Sequence, residues 1–239
     1  MKAFLAAATL FAAVAPLHAQ APDADALIRS IRLSATVQKM DLNGVIHKDG
    51  SKDVGISMFV REGNNLQFSL GNGERFHIRM GDENCELLTI DGDNKTSRFP
   101  VAKLATPIAG TDVTYEDLTL RFLYWQGAKL EGEEKVNGAD CYRIALTNPG
   151  KDGAFGKVYV WVHKSYGAFW QVRAHDRAGN PIKEFQVNSV MQVPGGKGYT
   201  VKEMLVKTLE DKGGEYRTTS RTAIKFNDDG AKAPKGLRK

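Results

Sequence analysis

The sequence predicts a mainly β fold, a long antiparallel meander of about a dozen short strands closed into a sandwich or a barrel. Three observations predict it. From Ser34 onward, short runs rich in Val, Ile, Tyr and Phe are separated by turn residues. The connections are of hairpin length and composition, as at Asn137-Gly138, Asp176-Arg177-Ala178-Gly179-Asn180 and Lys212-Gly213-Gly214. Only two segments carry a helical period, so the strand–helix alternation of a parallel sheet is missing.

Taken in order, residues 1–19 hold one charge, Lys2, followed by an apolar run to Leu17 and a small residue at Ala19. This is the pattern of a secretory signal peptide, with cleavage predicted after Ala19. Cutting at Ala19-Gln20-Ala21 fits small-x-small spacing but leaves Pro22 beside the cut. The run is too short for a membrane span and Pro16 interrupts its end. No Cys follows it, so no lipid anchor is expected, and the mature chain is predicted to be soluble and periplasmic. Residues 20–228 are read as a single domain and 229–239, rich in Asp, Lys, Gly and Pro, as a flexible tail.

Leu27, Ile28 and Ile31 fall at helical spacing over 23–31, with Asp23 as the capping residue. Strands are predicted over 33–47, 53–61, 66–70, 74–80 and 85–91, with a short piece around Arg98. Thr114-Tyr115-Glu116-Asp117 reads as a capping box with Asp in the Glu place. Tyr115, Leu118, Phe122 and Trp125 would then share one helical face. Strands resume over 129–136, 140–147, 157–163, 168–175, 182–193, 199–211 and 215–226.

Composition excludes several classes. The 239 residues are 42% hydrophobic and 26% charged, which sets aside disordered, collagen-like and disulfide-dense chains. Lys and Arg number 33 against 28 Asp and Glu, a net charge of +5 that becomes +4 without Lys2. The basic residues are scattered among acidic ones, so no nucleic-acid partner is expected. Cys85 and Cys141 are a candidate disulfide in an oxidising compartment, with two separately buried thiols as the alternative.

Strand faces carry further information. Val158, Val160 and Val162 alternate with Tyr159, Trp161 and His163, and both faces are apolar where a half-solvated sheet would show one polar face. Two arrangements satisfy this: helices and neighbouring strands cover both faces, or a strongly curved sheet encloses an apolar cavity. No catalytic motif is present. There is no G-x-S-x-G elbow, and the four histidines after residue 19 lack ligand spacing. Glu131, Glu133, Glu134, Asp91 and Asp93 sit in turn-flanking polar stretches. Lys95 stands where the calcium-loop pattern needs an oxygen, and Gly71-Asn72-Gly73 does not lead into a helix. No metal, cofactor or catalytic residue is therefore predicted, and the chain is read as a non-enzyme.

Several segments together resemble the outer-membrane lipoprotein-sorting proteins of the LolA-like superfamily: Gly110-Thr-Asp-Val-Thr-Tyr-Glu-Asp-Leu118, then 132–146, Val160-Trp-Val-His-Lys164, Gly179-Asn-Pro-Ile-Lys183 and Thr222-Ala-Ile-Lys-Phe226. The resemblance spans roughly residues 50–228 and is most specific at 110–118. It implies a half-open, incomplete β-barrel of about eleven or twelve strands, with short helices plugging an apolar cavity that shields the acyl chains of a lipid or lipoprotein. The implied partners are those acyl chains, together with loading and receiving proteins at the inner and outer membranes. Candidate lining residues are Met58, Phe68, Tyr159, Trp161, Trp170 and Met204, with Tyr115, Phe122 and Trp125 on the plugging helix. The family's Arg-Pro step is Arg61-Glu62 here, so the arginine is kept without the proline, and Arg61 is the implied lid contact. A protein-binding or sensing module on the same sheet is the alternative, and a hydrolase would need a triad assembled in space.

Overall fold

The computed structural model describes residues 21–34, 39–61, 65–193 and 198–227. The predicted signal segment and the tail 229–239 lie outside them. Helix α1 (Ala24–Ser34) precedes six strands: β1 (Met40–His47), β2 (Val54–Arg61), β3 (Asn65–Leu70), β4 (Arg75–Met80), β5 (Cys85–Ile90) and β6 (Thr96–Arg98). Between β6 and β7 come 3-10 turns at Val101–Lys103 and Ile108–Gly110, helix α2 (Tyr115–Thr119) and a third 3-10 turn at Arg121–Tyr124. Seven strands complete the chain: β7 (Lys129–Val136), β8 (Ala139–Thr147), β9 (Lys157–His163), β10 (Phe169–His175), β11 (Pro181–Gln192), β12 (Tyr199–Lys212) and β13 (Glu215–Phe226).

All thirteen strands belong to one antiparallel sheet in the order β6-β5-β4-β3-β2-β1-β13-β12-β11-β10-β9-β8-β7. The chain walks outward from β1 to β6, leaves the sheet, re-enters at the far edge as β7 and walks back to β13. There β13 pairs with β1, from Gly44 opposite Phe226 to His47 opposite Ala223. The edges β6 and β7 do not pair, so the barrel is open. The three-residue β6 is the short piece predicted around Arg98, and it brings the strand count to one above the eleven or twelve expected.

Register shows which side chains share the inner face. Thr222, Val206, Phe185, Val172, Val160 and Ile144 stand opposite one another across six neighbouring strands. Leu42, Met58, Phe68 and Phe76 do the same across β1 to β4. These residues belong to or pack on one apolar cluster, except Thr222, and Ile28, Ile31, Ile108, Val113, Tyr115, Phe122 and Trp125 from the helical pieces join it.

Both helical signals hold at their starts. The Asp23 carboxylate accepts from the Asp25 and Ala26 amides at 3.0 and 3.4 Å, and α1 runs on through Ser34, so the first strand begins only at Met40. The capping box forms: Thr114 accepts from the Asp117 amide while Asp117 accepts from the Thr114 amide. The single helical face over 115–125 does not form, because Leu120 takes a left-handed conformation (φ 45°, ψ 33°) that ends α2 after five residues. Tyr115, Leu118, Phe122 and Trp125 are buried all the same.

The β1–β13 seam alone joins the two halves of the sheet, and Gly44 sits in it with room for no side chain. A Cβ there would stand 2.0 Å from the Lys225 carbonyl oxygen. Gly44→Ala should lower stability by about 2 kcal/mol or more in a urea titration, whereas Gly138→Ala, at a hairpin tip where a Cβ meets nothing within 4 Å, should cost less despite its positive φ.

Candidate functional site

The connection from β6 to β7 crosses the open side, and four polar side chains within 112–117 fix it to the sheet and to its connecting loops. The Asp112 carboxylate accepts from Ser220 and Thr222 hydroxyls at 2.8 Å each, from Thr208 at 3.1 Å and from the Lys48 ammonium at 3.2 Å. These donors come from the turn just after β1, from β12 and from β13. Burial alone would raise the Asp112 carboxyl, but the four donors together hold it below the usual carboxylate range. Asp117 accepts from the Lys183 ammonium at 2.6 Å, and Lys183 also donates to the Asp112 carbonyl at 2.8 Å. This pair is almost dry, with side-chain exposures of 1% for Asp117 and 10% for Lys183.

Glu116 is equally buried. One of its oxygens accepts from the Ala154 amide at 2.7 Å, while the other has no partner. Burial pushes this carboxyl up, opposed by the Ala154 amide and by the more distant Arg121 and Lys183. Gly153 leaves space for it, since a Cβ there would stand 2.0 Å from the unpartnered oxygen. On the other flank the Tyr115 hydroxyl donates to Glu74, which also pairs with Lys103. Burial raises the Tyr115 hydroxyl and the Glu74 carboxylate adds to the rise. Phe76, Phe99 and Tyr115 meet edge-to-face or tilted in a tight aromatic group here, beside a cleft of about 150 Å³ lined by Glu74, Arg75, Ile90 and Lys103 among others.

The opposite end of the inner face is soft and apolar. Met40, Met80 and Met191 lie near strand ends there, with Met58 and Met204 further in, and all five pack on or belong to the main cluster. Two helical pieces lie along the open side. The Ala128 amide donates to Asp25 at 3.0 Å, and the Arg32 guanidinium lies 4.8 Å from the centroid of the Tyr124 ring.

Of the residues the sequence singles out, the structure brings Met58, Phe68, Tyr115, Phe122, Trp125 and Met204 to the main cluster. It does not bring Tyr159, Trp161 or Trp170 there. Val158, Val160 and Val162 take the inner face, so Tyr159 and Trp161 point outward by strand alternation. With Val136, Cys141 and Trp170 they form a second, small cluster, in which the Trp161 indole donates to Glu134 at 2.9 Å. Arg61 also faces outward, bonded to Asp41 on the neighbouring strand and 5.5 Å from the Phe59 ring centroid, and no helix is among its recorded contacts. Cys85 and Cys141 are both free thiols, in the inner and outer clusters respectively. The proposed disulfide is thus corrected: the sheet stands between them.

Sequence reasoning missed Asp112, Glu116 and Lys183. The capping-box position of Asp117 marked its local role, but nothing in a strand written Pro-Ile-Lys-Glu-Phe announces that Lys183 points inward. Among the described residues no helix is long and apolar enough to cross a membrane, and no group of three or more His, Cys, Asp or Glu is placed to hold a metal ion.

A family model described only as an uncharacterized protein matches residues 91–231. No curated protein matches the chain. Solved structures of the same fold include a DUF1329 family protein from Desulfovibrio piger, with TM-score 0.62 and 16% identity over 87% of this chain and 92% of that one. A domain assigned to outer membrane lipoprotein sorting from Vibrio parahaemolyticus gives 0.61 and 15% over 84% and 89%. A LolA superfamily protein from Nitrosomonas europaea gives 0.62 and 14% over 90% and 96%. At such identities the likeness is one of fold.

Lys183→Met should strand the Asp117 carboxylate and cost about 3–5 kcal/mol in chemical denaturation, with part recovered in the double variant Lys183→Met/Asp117→Asn. Glu116 behaves oppositely. Its folded carboxyl holds a proton more tightly than the unfolded one, so its contribution favours folding in acid and is lost as pH rises through the folded pKa. Glu116→Gln should therefore be increasingly more stable than the parent as pH rises above about 4, and a difference that is flat with pH would contradict a charged, desolvated Glu116.

Proposed function

We propose that this chain, which belongs to the family of uncharacterized proteins matched over residues 91–231 and has the LolA-like fold, is a periplasmic binder that shields acyl chains of a lipid or lipoprotein. The observation that carries this reading is the large apolar inner face of a sheet that does not close, polar where Lys183, Thr208, Ser220 and Thr222 meet the crossing segment. A surface of that kind has a use if apolar cargo replaces the helical pieces that now cover it. Each buried CH₂ contributes about 0.8 kcal/mol, so one long acyl chain supplies on the order of 10 kcal/mol before ordering costs. The wall we assign to cargo is Met58, Phe68 and Met204 on the sheet, with Tyr115, Phe122 and Trp125 on the plug. Methionine suits such a wall, because its flexible thioether adapts to chains of different shape.

Among the described residues part of the interior is densely packed. Leu42, Ile108 and Phe122 are fully buried, and the 150 Å³ cleft is below the roughly 300 Å³ at which small-molecule pockets begin. Binding therefore requires α1 and the Arg121–Tyr124 turn to move outward, while the segment held by Asp112 and Asp117 stays. A carrier in outer-membrane lipoprotein sorting, served by loading and receiving proteins, is the fuller form of this reading. The dense packing of Leu42, Ile108 and Phe122 favours a second reading, a protein-binding or sensing module that takes no cargo.

Native mass spectrometry of the exported protein, followed by organic extraction, separates the two. Bound lipid at near one-to-one stoichiometry is expected; a mass that stays that of the bare chain after incubation with phospholipid and triacylated lipopeptide would select the module. Met58→Gln and Met204→Gln, which place an amide in the wall, should each weaken lipid binding by about tenfold. Trp161→Phe, on the outer face, should leave it unchanged.

A further inference from the structure

Of the six large apolar side chains exposed among the described residues, strand register places Tyr166, Val190 and Tyr199 at one rim of the sheet. Connections of an antiparallel meander alternate between its ends, so the β9–β10 turn and the β11–β12 hairpin are neighbours at the same end, where β1 starts at Met40. The hairpin projects beyond its neighbours: β11 pairs with β10 as far as Gln186 but with β12 as far as Gln192, and β12 pairs with β13 only from Glu203. Its two faces differ. Met191 joins the main apolar cluster, while Val190 one residue earlier and Tyr199 opposite Gln192 take the other face and are 49% and 75% exposed. Beside it, Tyr166 in the β9–β10 turn is also 75% exposed. Its ring is held 4.4 Å from that of His163, which in turn meets Trp170 edge-on at 5.4 Å. The chain leaves β13 at this same end, where the Asn227 amide donates to the Asn43 carbonyl at 2.7 Å. Residues 228–239, which follow, hold Lys232, Lys235, Arg238 and Lys239 against Asp228 and Asp229.

Three apolar tips on two separate connections suit a planar lipid interface, which each can enter on its own, better than a folded partner, which needs a continuous complementary patch. Tyrosine fits that interface, since its ring enters the apolar side while its hydroxyl stays among headgroups. The basic residues that follow Asn227 start from the same rim and add attraction to anionic lipid within a Debye length of the surface. We propose that this rim docks on an anionic bilayer surface, with Tyr166, Val190 and Tyr199 entering the headgroup layer and the cations of 232–239 meeting the phosphates. Docked in this way, the methionine end of the barrel faces the bilayer and the end held by Asp112 and Asp117 faces away. The docking needs no cargo, so it stands or falls apart from the acyl-binding reading.

Co-sedimentation of the full exported chain with vesicles of phosphatidylglycerol or of phosphatidylcholine tests it. The parent should bind phosphatidylglycerol vesicles about tenfold more tightly, a preference that fades as salt is raised. The double variant Tyr166→Ser/Tyr199→Ser should bind them about tenfold more weakly than the parent. Tyr216→Ser, which removes a half-exposed tyrosine from the β12–β13 hairpin at the opposite end, should bind as the parent does. Lys235→Gln/Arg238→Gln should weaken binding to phosphatidylglycerol vesicles and leave binding to phosphatidylcholine vesicles unchanged. A parent that binds neither vesicle would overturn the docking, and lipid found one-to-one in the same protein by native mass spectrometry would leave acyl binding standing. Binding that is unchanged in the double tyrosine variant would overturn it as adsorption by charge alone. An equal loss in Tyr216→Ser would overturn it as contact without a preferred rim.

Discussion

The contact between Lys183 and Asp117 decides how the two halves of the chain share one interior. Asp117 belongs to the segment that crosses the open side, and Lys183 to the inner face of β11, so their pairing fixes the crossing segment against the second half of the sheet. A dry ion pair is a poor source of net stability, because desolvating both charges offsets most of their attraction. Its value is positional. The carboxylate is already oriented by the Thr114 capping box, and the ammonium bonds both that carboxylate and the Asp112 carbonyl, so a sliding of the segment leaves two buried charges unsatisfied together. Asp112 reinforces it by gathering hydroxyls from β12 and β13 and the ammonium of Lys48 after β1.

The consequence is an interior with unlike ends. At the carboxylate end the covering segment is tied by directional bonds to the turn after β1, to β11, β12 and β13, and to the loop carrying Ala154. Along the rest of the open side the ties among the described residues include the Asp25 bond, the Arg32–Tyr124 contact and the apolar packing of Ala24, Leu27, Ile28 and Ile31. Regions held by few buried contacts open at lower free energy than the whole fold. In the proposed acyl-binding reading, opening would start on the side of the methionines, away from Asp117. Glu116 tempers the rigid end, because a buried carboxyl with one unpartnered oxygen makes that closure less favourable where it is ionised.

Most of the fold was legible in the sequence because its signals are local. Strand runs, hairpin glycines, the Asp23 cap and the Thr114 capping box each act within a few residues, and most form where the pattern predicts, although the first strand begins at Met40 rather than at residue 33 because α1 runs on through Ser34. The failures share a cause in long-range placement. Alternation in 157–163 says that valines and aromatics take opposite faces, but only the curvature of the whole sheet decides which is inside, and it takes the valines. Branched aliphatic side chains line the inner face of β9, while Tyr159 and Trp161 keep their polar atoms outside, where the Trp161 indole reaches Glu134. Arg61 followed the same rule to Asp41, and Cys85 and Cys141 ended on opposite faces. Leu120 shows the limit of helical spacing: four apolar residues at the right intervals are buried together without a continuous helix beneath them.

An open sheet also leaves two edges, and how they are protected explains why the plug lies where it does. Edge strands with free backbone groups invite pairing with another chain. At one edge β6 is only three residues long and wholly exposed, which offers little to pair with. At the other, β7 carries Lys129, Glu131, Glu133, Glu134 and Lys135, and its register shifts between Leu130 and Gly132, where Gly132 has φ 140°. Such a bulge twists the strand and interrupts the ladder a partner would need. The chain between these edges is the crossing segment itself, and α1 packs against β7 and the Arg121–Tyr124 turn beside it. The same residues that cover the apolar interior therefore shield the gap between the edges. A ligand that displaces α1 must cover what α1 covered, so apolar cargo that fills the interior keeps the opened form from exposing its core.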